Sequence, residues 1–237
     1  MEPLRLKHIT FTGVDERTNM DWLQEIQEKY PLAEFGVLTS YHWMDNGNRY
    51  LNPDKMNFWD RHLNLSLHVC GSATEDAMKG EWGKIDDLVN WNLTFFDRVQ
   101  LNVANRKNNP EYVEKPQQSW LEVIIQQKNV DNLTLYQNTI EKYPEYDRFS
   151  TLLDASGGLG IDAPIQILET PGKVGYAGGF NPENVGEKLR YLLENVKQGE
   201  FWIDMETGVR SQDWFDLHKV EWVLEICYHE IEKFQNK

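Results

Sequence analysis

The chain has 237 residues, of which 40% are hydrophobic and 26% are charged, a composition typical of a globular protein rather than a disordered one. Its formal net charge of −14 argues against binding to nucleic acid or to an anionic membrane surface, because both are themselves negatively charged. No apolar run approaches the roughly 18 residues that span a bilayer, and we see neither a secretory signal nor a disulfide framework, so we expect a soluble, cytoplasmic protein.

Eight short segments rich in apolar and β-branched residues recur along the chain and predict β-strands. Each is apolar over most of its length, as expected for parallel strands that are covered on both faces. The predicted strands are residues 8–12, 35–40, 65–70, 98–103, 121–126, 149–154, 174–177 and 201–205.

Amphipathic segments lie between most of these strands and predict helices. Asn181 and Pro182 mark one helix start, since asparagine is a common N-cap and proline suits the first helical position. The helical segments are residues 19–30, 74–91, 130–143, 182–195 and 216–234. Residues 104–120 give only a weak helical pattern, and residues 41–53 give a long polar loop.

Strands that alternate with helices predict a parallel sheet, and eight of each favour a closed (β/α)8 TIM barrel over an open sheet. We find neither an internal repeat nor a linker. Residues 1–237 are therefore expected to form a single α/β barrel domain of the usual size.

Polar residues stand where the predicted strands end, which is where barrels of this class build their active sites. A single member of this set could simply cap a strand, but together they predict a ligand site over the end of an apolar barrel. They are Thr12, Ser40, His42, His68, Cys70, Asn102, Gln126, Asp154, Gly178, Gly179, Asp204 and Glu206.

Glycine-containing segments follow the last three strands, at residues 154–160, 176–185 and 203–209. Glycine lets the backbone approach a ligand closely. The Gly178-Gly179 turn runs into a predicted helix, whose N-terminus favours an anion. Because the seventh and eighth loops of this fold commonly hold phosphate, the segments predict a site for a phosphorylated ligand.

These motifs make the sequence resemble phosphoribosylanthranilate isomerase of tryptophan biosynthesis. The most specific part is the string Gly178-Gly179-Phe180-Asn181-Pro182-Glu183-Asn184-Val185. The resemblance also includes residues 154–160, 203–209, 99–102 and 48–50, and it covers essentially the whole chain in order and spacing.

The resemblance implies an Amadori rearrangement, which converts an N-linked phosphoribosyl aminoaldose into an aminoketose without a metal or other cofactor. A general acid opens the sugar ring to a Schiff base, and a general base removes the proton from C2′. By position, Asp154 corresponds to the acid and Arg49 to a substrate-contacting cation. Gly178, Gly179, Thr207 and Gly208 correspond to the phosphate cradle, and we expect Gly157, Gly158, Asp204 and Glu206 to contact the ligand as well.

Two positions depart from the family. Thr12 stands where the family has its base, a cysteine followed by glycine, and a threonine hydroxyl is nearly non-ionisable near neutral pH. Glu206 stands where the family has a small hydroxyl residue, and a carboxylate beside a phosphate costs about 1 kcal/mol even at water-like screening. Thr12 therefore occupies a catalytic position without being a good base.

Other residues could replace the base. Cys70 is one candidate, although a small buried hydrophobe is the simpler interpretation of it. His68 lies two residues earlier in the same strand, so both side chains point to the same side. His42 and Glu206 are further candidates, and with His68, Asp154 and Asp204 they are also metal ligands by type, without any local ligand spacing.

The leading hypothesis is an isomerase-like barrel that binds a phosphorylated sugar or related small anion and catalyses an aldose–ketose isomerisation by general acid–base chemistry. One alternative is a non-catalytic barrel that binds a small molecule. The other is a metal-assisted sugar isomerase or lyase. The sequence leaves the true substrate and the oligomeric state open.

Overall fold

The computed structural model describes residues 4–42, 47–58, 62–90, 92–103 and 109–237. Eight parallel strands follow one another in chain order and close into a barrel, which confirms the predicted fold. They are β1 (Leu6–Thr12), β2 (Ala33–Thr39), β3 (Leu65–Val69), β4 (Arg98–Leu101), β5 (Glu122–Gln127), β6 (Phe149–Asp154), β7 (Lys173–Ala177) and β8 (Glu200–Met205). A short antiparallel ribbon, β9 (Arg210–Ser211) and β10 (Trp214–Phe215), follows the barrel.

Six α-helices cover the barrel in the described part of the chain: α1 (Met20–Lys29), α2 (Ser72–Met78), α3 (Trp82–Leu88), α4 (Thr134–Lys142), α5 (Val185–Asn195) and α6 (Leu217–Gln235). None of the described helices is both long enough and apolar enough to cross a membrane. The connection from β6 to β7, residues 155–172, is fully described and contains no α-helix, and the sequence predicted none there.

Two predicted helices differ in detail. The predicted helix over residues 74–91 is divided into α2 and α3 because Gly80 lies between them with a φ of +83°. The helix expected from residue 182 begins instead at Val185. Asn181 Oδ1 accepts hydrogen bonds from the N–H groups of Glu183 and Asn184, both at 3.0 Å, so it caps the turn that precedes α5.

The barrel lumen is more polar than the expected apolar interior. Glu34, Arg98 and Glu122 are all buried there, with Arg98 Nη1 3.0 Å from Glu34 Oε1 and Arg98 Nε 3.4 Å from Glu122 Oε1. Towards the C-terminal ends of the strands, a small apolar layer of Ile124, Leu152 and Trp202 follows. This layer separates the buried ion cluster from the polar residues at the strand ends.

Candidate functional site

A cavity of about 550 Å³ opens at the C-terminal ends of the strands. The predicted site residues that line it are Thr12, Arg49, His68, Cys70, Asn102, Gln126, Asp154, Gly158, Gly178, Gly179, Asp204, Glu206, Thr207 and Gly208. Gly157 is the one predicted contact that does not line it, and Ser40 and His42 of the predicted ring are also outside it. The strand-end residues thus meet around one cavity.

Asp154, the last residue of β6, is buried and held by four hydrogen bonds to its carboxylate. Gln126 Nε2 and the Gly158 N–H donate to Oδ2, at 3.0 and 2.5 Å. The N–H and the hydroxyl of Ser156 donate to Oδ1, at 3.1 and 2.7 Å. The loop that follows β6 therefore surrounds Asp154 with donors, and Gly157 belongs to this turn because its N–H donates to the Asp154 carbonyl oxygen.

Asp204 on β8 is the second carboxyl of the cavity, and it is also buried. The Thr12 hydroxyl donates to its Oδ1 at 2.7 Å, so the residue at the position of the family's base contacts a carboxyl group. Burial, together with the neighbouring Glu206 and Asp154 charges, raises the pKa of Asp204 to about 7, although the hydrogen bond from Thr12 acts in the opposite direction. Asp204 can therefore change protonation state near neutral pH.

The glycines of the seventh and eighth loops let these loops pack closely against their neighbours. Gly179 has a φ of +69°, and a Cβ atom there would overlap the backbone of Ile161 and Asp162. A Cβ atom on Gly208 would overlap the carbonyl oxygen of Phe180. Lys188 Nζ adds a hydrogen bond of 2.7 Å to the carbonyl oxygen of Gly178. Close packing alone thus requires glycine at positions 179 and 208, whether or not a phosphate binds there.

Comparison with known proteins gives structural matches only. No protein-family model matches the sequence, and no curated protein matches it. Phosphoribosyl anthranilate isomerase from Thermus thermophilus has a TM-score of 0.57 at 15% identity, covering 94% of this chain and 98% of that chain. TrpF from Jonesia denitrificans has a TM-score of 0.56 at 16% identity, with the same coverage.

A third match is a phosphoribosyl anthranilate isomerase in complex with reduced 1-(o-carboxyphenylamino)-1-deoxyribulose 5-phosphate. Its TM-score is 0.52 at 18% identity, covering 94% of this chain and all of that chain. This chain has the fold of the phosphoribosylanthranilate isomerases. The resemblance inferred from the sequence motifs is thereby confirmed at the level of the fold.

The polar wall of the cavity includes Cys70 and His68, which both line it, as their spacing predicts. Asn102 Nδ2 donates to Cys70 Sγ at 2.9 Å, and burial raises the pKa of the Cys70 thiol. Burial lowers the pKa of His68 to about 4, and its two ring nitrogens lie 3.1 Å from Ser66 Oγ and Gln100 Nε2. Both groups are therefore neutral at neutral pH, and the His68 nitrogens are already engaged.

The metal interpretation gains no support from the described residues, because no three His, Cys, Asp or Glu side chains among them come close enough together to hold a metal ion. Cys227 is buried in α6.

Sequence reasoning missed Arg210, which connects the loops around the cavity. Its guanidinium donates to the carbonyl oxygens of Gly13, at 2.6 Å, and Asp213, at 2.7 Å, and pairs with the buried Asp15 at 3.2 Å. A Cβ atom on Gly13 would collide with Arg210 Nη1 at 2.5 Å. The Thr12-Gly13 dipeptide is the one sequence signal that could have indicated this contact.

Proposed function

We propose that this chain is an isomerase that converts a phosphorylated aldose derivative into the corresponding ketose by general acid–base chemistry, without a cofactor. One observation carries the proposal: two buried carboxyl groups, Asp154 and Asp204, line one cavity at the strand ends of a barrel. Carboxyl pairs whose environments differ supply an acid and a base within a single site.

The phosphorylated part of the substrate is assigned to the side of the cavity formed by Gly178, Gly179, Thr207 and Gly208. This assignment is supported by the general use of the seventh and eighth loops of such barrels for phosphate. The fold neighbour in complex with a phosphorylated compound supports the same ligand class. Arg49 is the cation on the loop after β2, while Gly157 and Gly158 hold the turn around Asp154.

Phosphoribosylanthranilate, the substrate named for the fold neighbours, is the first compound to test. Purified protein would be mixed with phosphoribosylanthranilate, and the ketose product followed by chromatography. Expression of the chain in a tryptophan auxotroph that lacks the isomerase tests the pathway and the cytoplasmic location at once. We expect product and growth with the wild-type chain. Asp154→Asn should abolish both while its circular dichroism spectrum stays that of the wild type, and no product and no growth with the wild-type chain would contradict the proposal.

A binding protein without catalysis is the second candidate, and Thr12 at the position of the family's base favours it. This candidate predicts saturable binding of a phosphorylated sugar without turnover. It also predicts that Asp154→Asn leaves the affinity almost unchanged, because no proton has to move. Isothermal titration of both proteins with ribose 5-phosphate, beside the turnover assay, separates the two functions.

A further inference from the structure

The two carboxyl groups of the cavity differ in the number of hydrogen bonds that reach them. Four donors from Gln126, Ser156 and Gly158 converge on Asp154. From the described part of the chain, Asp204 receives one, from the Thr12 hydroxyl. Hydrogen bonds donated to a carboxylate stabilise its charged form. The four donors therefore stabilise a carboxylate at residue 154.

The charges that face Asp204 make a second negative charge unfavourable. Glu206 on the loop after β8, Asp154 on β6 and Glu34 on β2 all act on it with the same sign. Arg98 on β4 is the cation within reach, but Glu34 and Glu122 already pair with it. Together with burial, this environment favours the neutral carboxyl group at residue 204.

The geometry points to Asp204 as the general acid of the reaction and to Asp154 as the general base. This assignment rests on the proposed isomerase function, and it reverses the role that the family resemblance implies for Asp154. It also removes the need for a base at position 12. Thr12 becomes a positioning residue, whose hydroxyl occupies Oδ1 of Asp204 and leaves Oδ2 to carry the proton.

The proton transfers balance with these two groups alone. The Asp204 O–H bond breaks and its proton moves to the ring oxygen, while the bond from that oxygen to C1′ breaks and the nitrogen lone pair forms the Schiff base. The Asp154 carboxylate then takes the proton from C2′ in place of one of its four donors. The C2′–H electron pair forms the C1′=C2′ bond, and the second electron pair of the C1′=N bond returns to the nitrogen. Finally, the C2′ hydroxyl proton passes to Asp204 and its O–H electron pair forms the C2′=O bond, while the second pair of the C1′=C2′ bond takes the proton from Asp154 to C1′. The product is a ketone, and both carboxyl groups return to their starting states.

The pH dependence of turnover separates an acid from a base at residue 204. The acid form is present below the pKa of about 7 and lost above it. We therefore expect kcat for phosphoribosylanthranilate to fall as the pH rises through about 7. A kcat that instead rises with pH through this range would identify Asp204 as a base and overturn the proposal.

Three variants make the test specific. Asp204→Asn should lower kcat by about 100-fold or more, the usual contribution of a general acid. Thr12→Val should raise the pH at which kcat falls by about half a unit to one unit, because the lost hydrogen bond favours the charged form of Asp204. Asp147→Asn is the matched control, an exposed residue before β6 whose substitution should change neither kcat nor its pH profile.

Infrared spectroscopy tests the protonation state without turnover. At a pH about one unit below the pKa of Asp204, a wild-type minus Asp204→Asn difference spectrum should contain the C=O band of a protonated carboxyl group. At a pH about one unit above that pKa, the band should be absent. Absence of this band at the lower pH overturns the proposal. Turnover that survives in Asp204→Asn but not in Cys70→Ala also overturns the proposed role of Asp204. That outcome would leave the isomerase function itself supported. Absence of turnover in the wild-type chain contradicts both the function and the catalytic role.

Discussion

Arg49 Nη1 lies 2.7 Å from Glu206 Oε1, and Arg49 Nε lies 2.9 Å from Asp213 Oδ1. The cation that the sequence assigns to the substrate is therefore already paired with two carboxylates of the segment after β8. About a third of each side chain of the Arg49–Glu206 pair is exposed, at 36% and 32%, so a ligand can reach it from solvent. An incoming phosphate must compete with Glu206 for Arg49.

Glu206→Gln should raise the affinity for inorganic phosphate about fivefold to tenfold. The substitution removes a like charge worth about 1 kcal/mol or more beside the ligand and frees one edge of the Arg49 guanidinium. Isothermal titration at low ionic strength, where exposed charges are least screened, measures the change.

Glu232→Gln is the control for this measurement, because it removes the same charge from an exposed position on α6. It should leave the phosphate affinity unchanged within the error of the titration. Equal effects of the two substitutions would mean that only net charge matters. Weaker binding by Glu206→Gln would contradict the role of the Arg49–Glu206 pair.

Gly179→Ala should weaken phosphate binding and destabilise the fold. The new Cβ atom would overlap the Ile161 backbone in a left-handed conformation, which costs about 1 to 3 kcal/mol in a non-glycine residue. Chemical denaturation measures the loss of stability, and titration with phosphate measures the loss of affinity.

Gly83→Ala is the matched control, since nothing lies within 4 Å of a Cβ atom at this α3 position. Alanine in a helix is favoured over glycine by about 0.5 to 1 kcal/mol, so this variant should be slightly more stable and bind phosphate as the wild type does. A Gly179→Ala protein that is as stable as Gly83→Ala would refute the packing argument.

The strands were predictable from the sequence because their outward faces pack against helices, which places apolar residues at alternate positions of each strand. The predicted ends differ from the observed ones by at most two residues. The helices were harder to place. Local periodicity does not register the break at Gly80, where a single backbone conformation divides one amphipathic segment into α2 and α3. The weak helix predicted over residues 104–120 lies partly outside the described residues, and residues 109–120 form no helix.

The position of the site followed from the rule that strand ends carry function, but its chemistry required the structure. Thr12 and Asp204 are 192 residues apart, and no local pattern joins them. The buried ion cluster in the barrel lumen was also not predicted from the sequence. Glu34 precedes the predicted second strand and Arg98 begins the fourth, so both resemble polar residues at strand ends. Their side chains meet across β3 in the folded sheet, where Arg98 Nη1 lies 3.0 Å from Glu34 Oε1.

Arg98→Met should destabilise the protein by about 3 to 5 kcal/mol, because it leaves Glu34 and Glu122 buried without their shared cation. Guanidinium chloride denaturation at neutral pH measures this change. Lys115→Met removes a cation from an exposed pair with Glu145, and should change stability by no more than about 1 kcal/mol. Similar values for the two variants would mean that the lumen cluster contributes no more than a surface pair.

The stability difference between the wild type and Arg98→Met should narrow as the pH falls. In the wild type, burial alone would raise the pKa of Glu34, but the Arg98 charge overcomes it and lowers the pKa from 4.5 to about 2. A lowered pKa contributes stability above the unfolded value, and this contribution is lost as the pH falls from 4.5 towards 2. Without Arg98, burial instead favours the protonated form of Glu34. A fall in pH therefore neutralises the buried Glu34 charge in the variant and reduces its destabilisation. Denaturation curves of both proteins across this range measure the difference, and a difference that does not change with pH would show that Glu34 and Arg98 are not coupled.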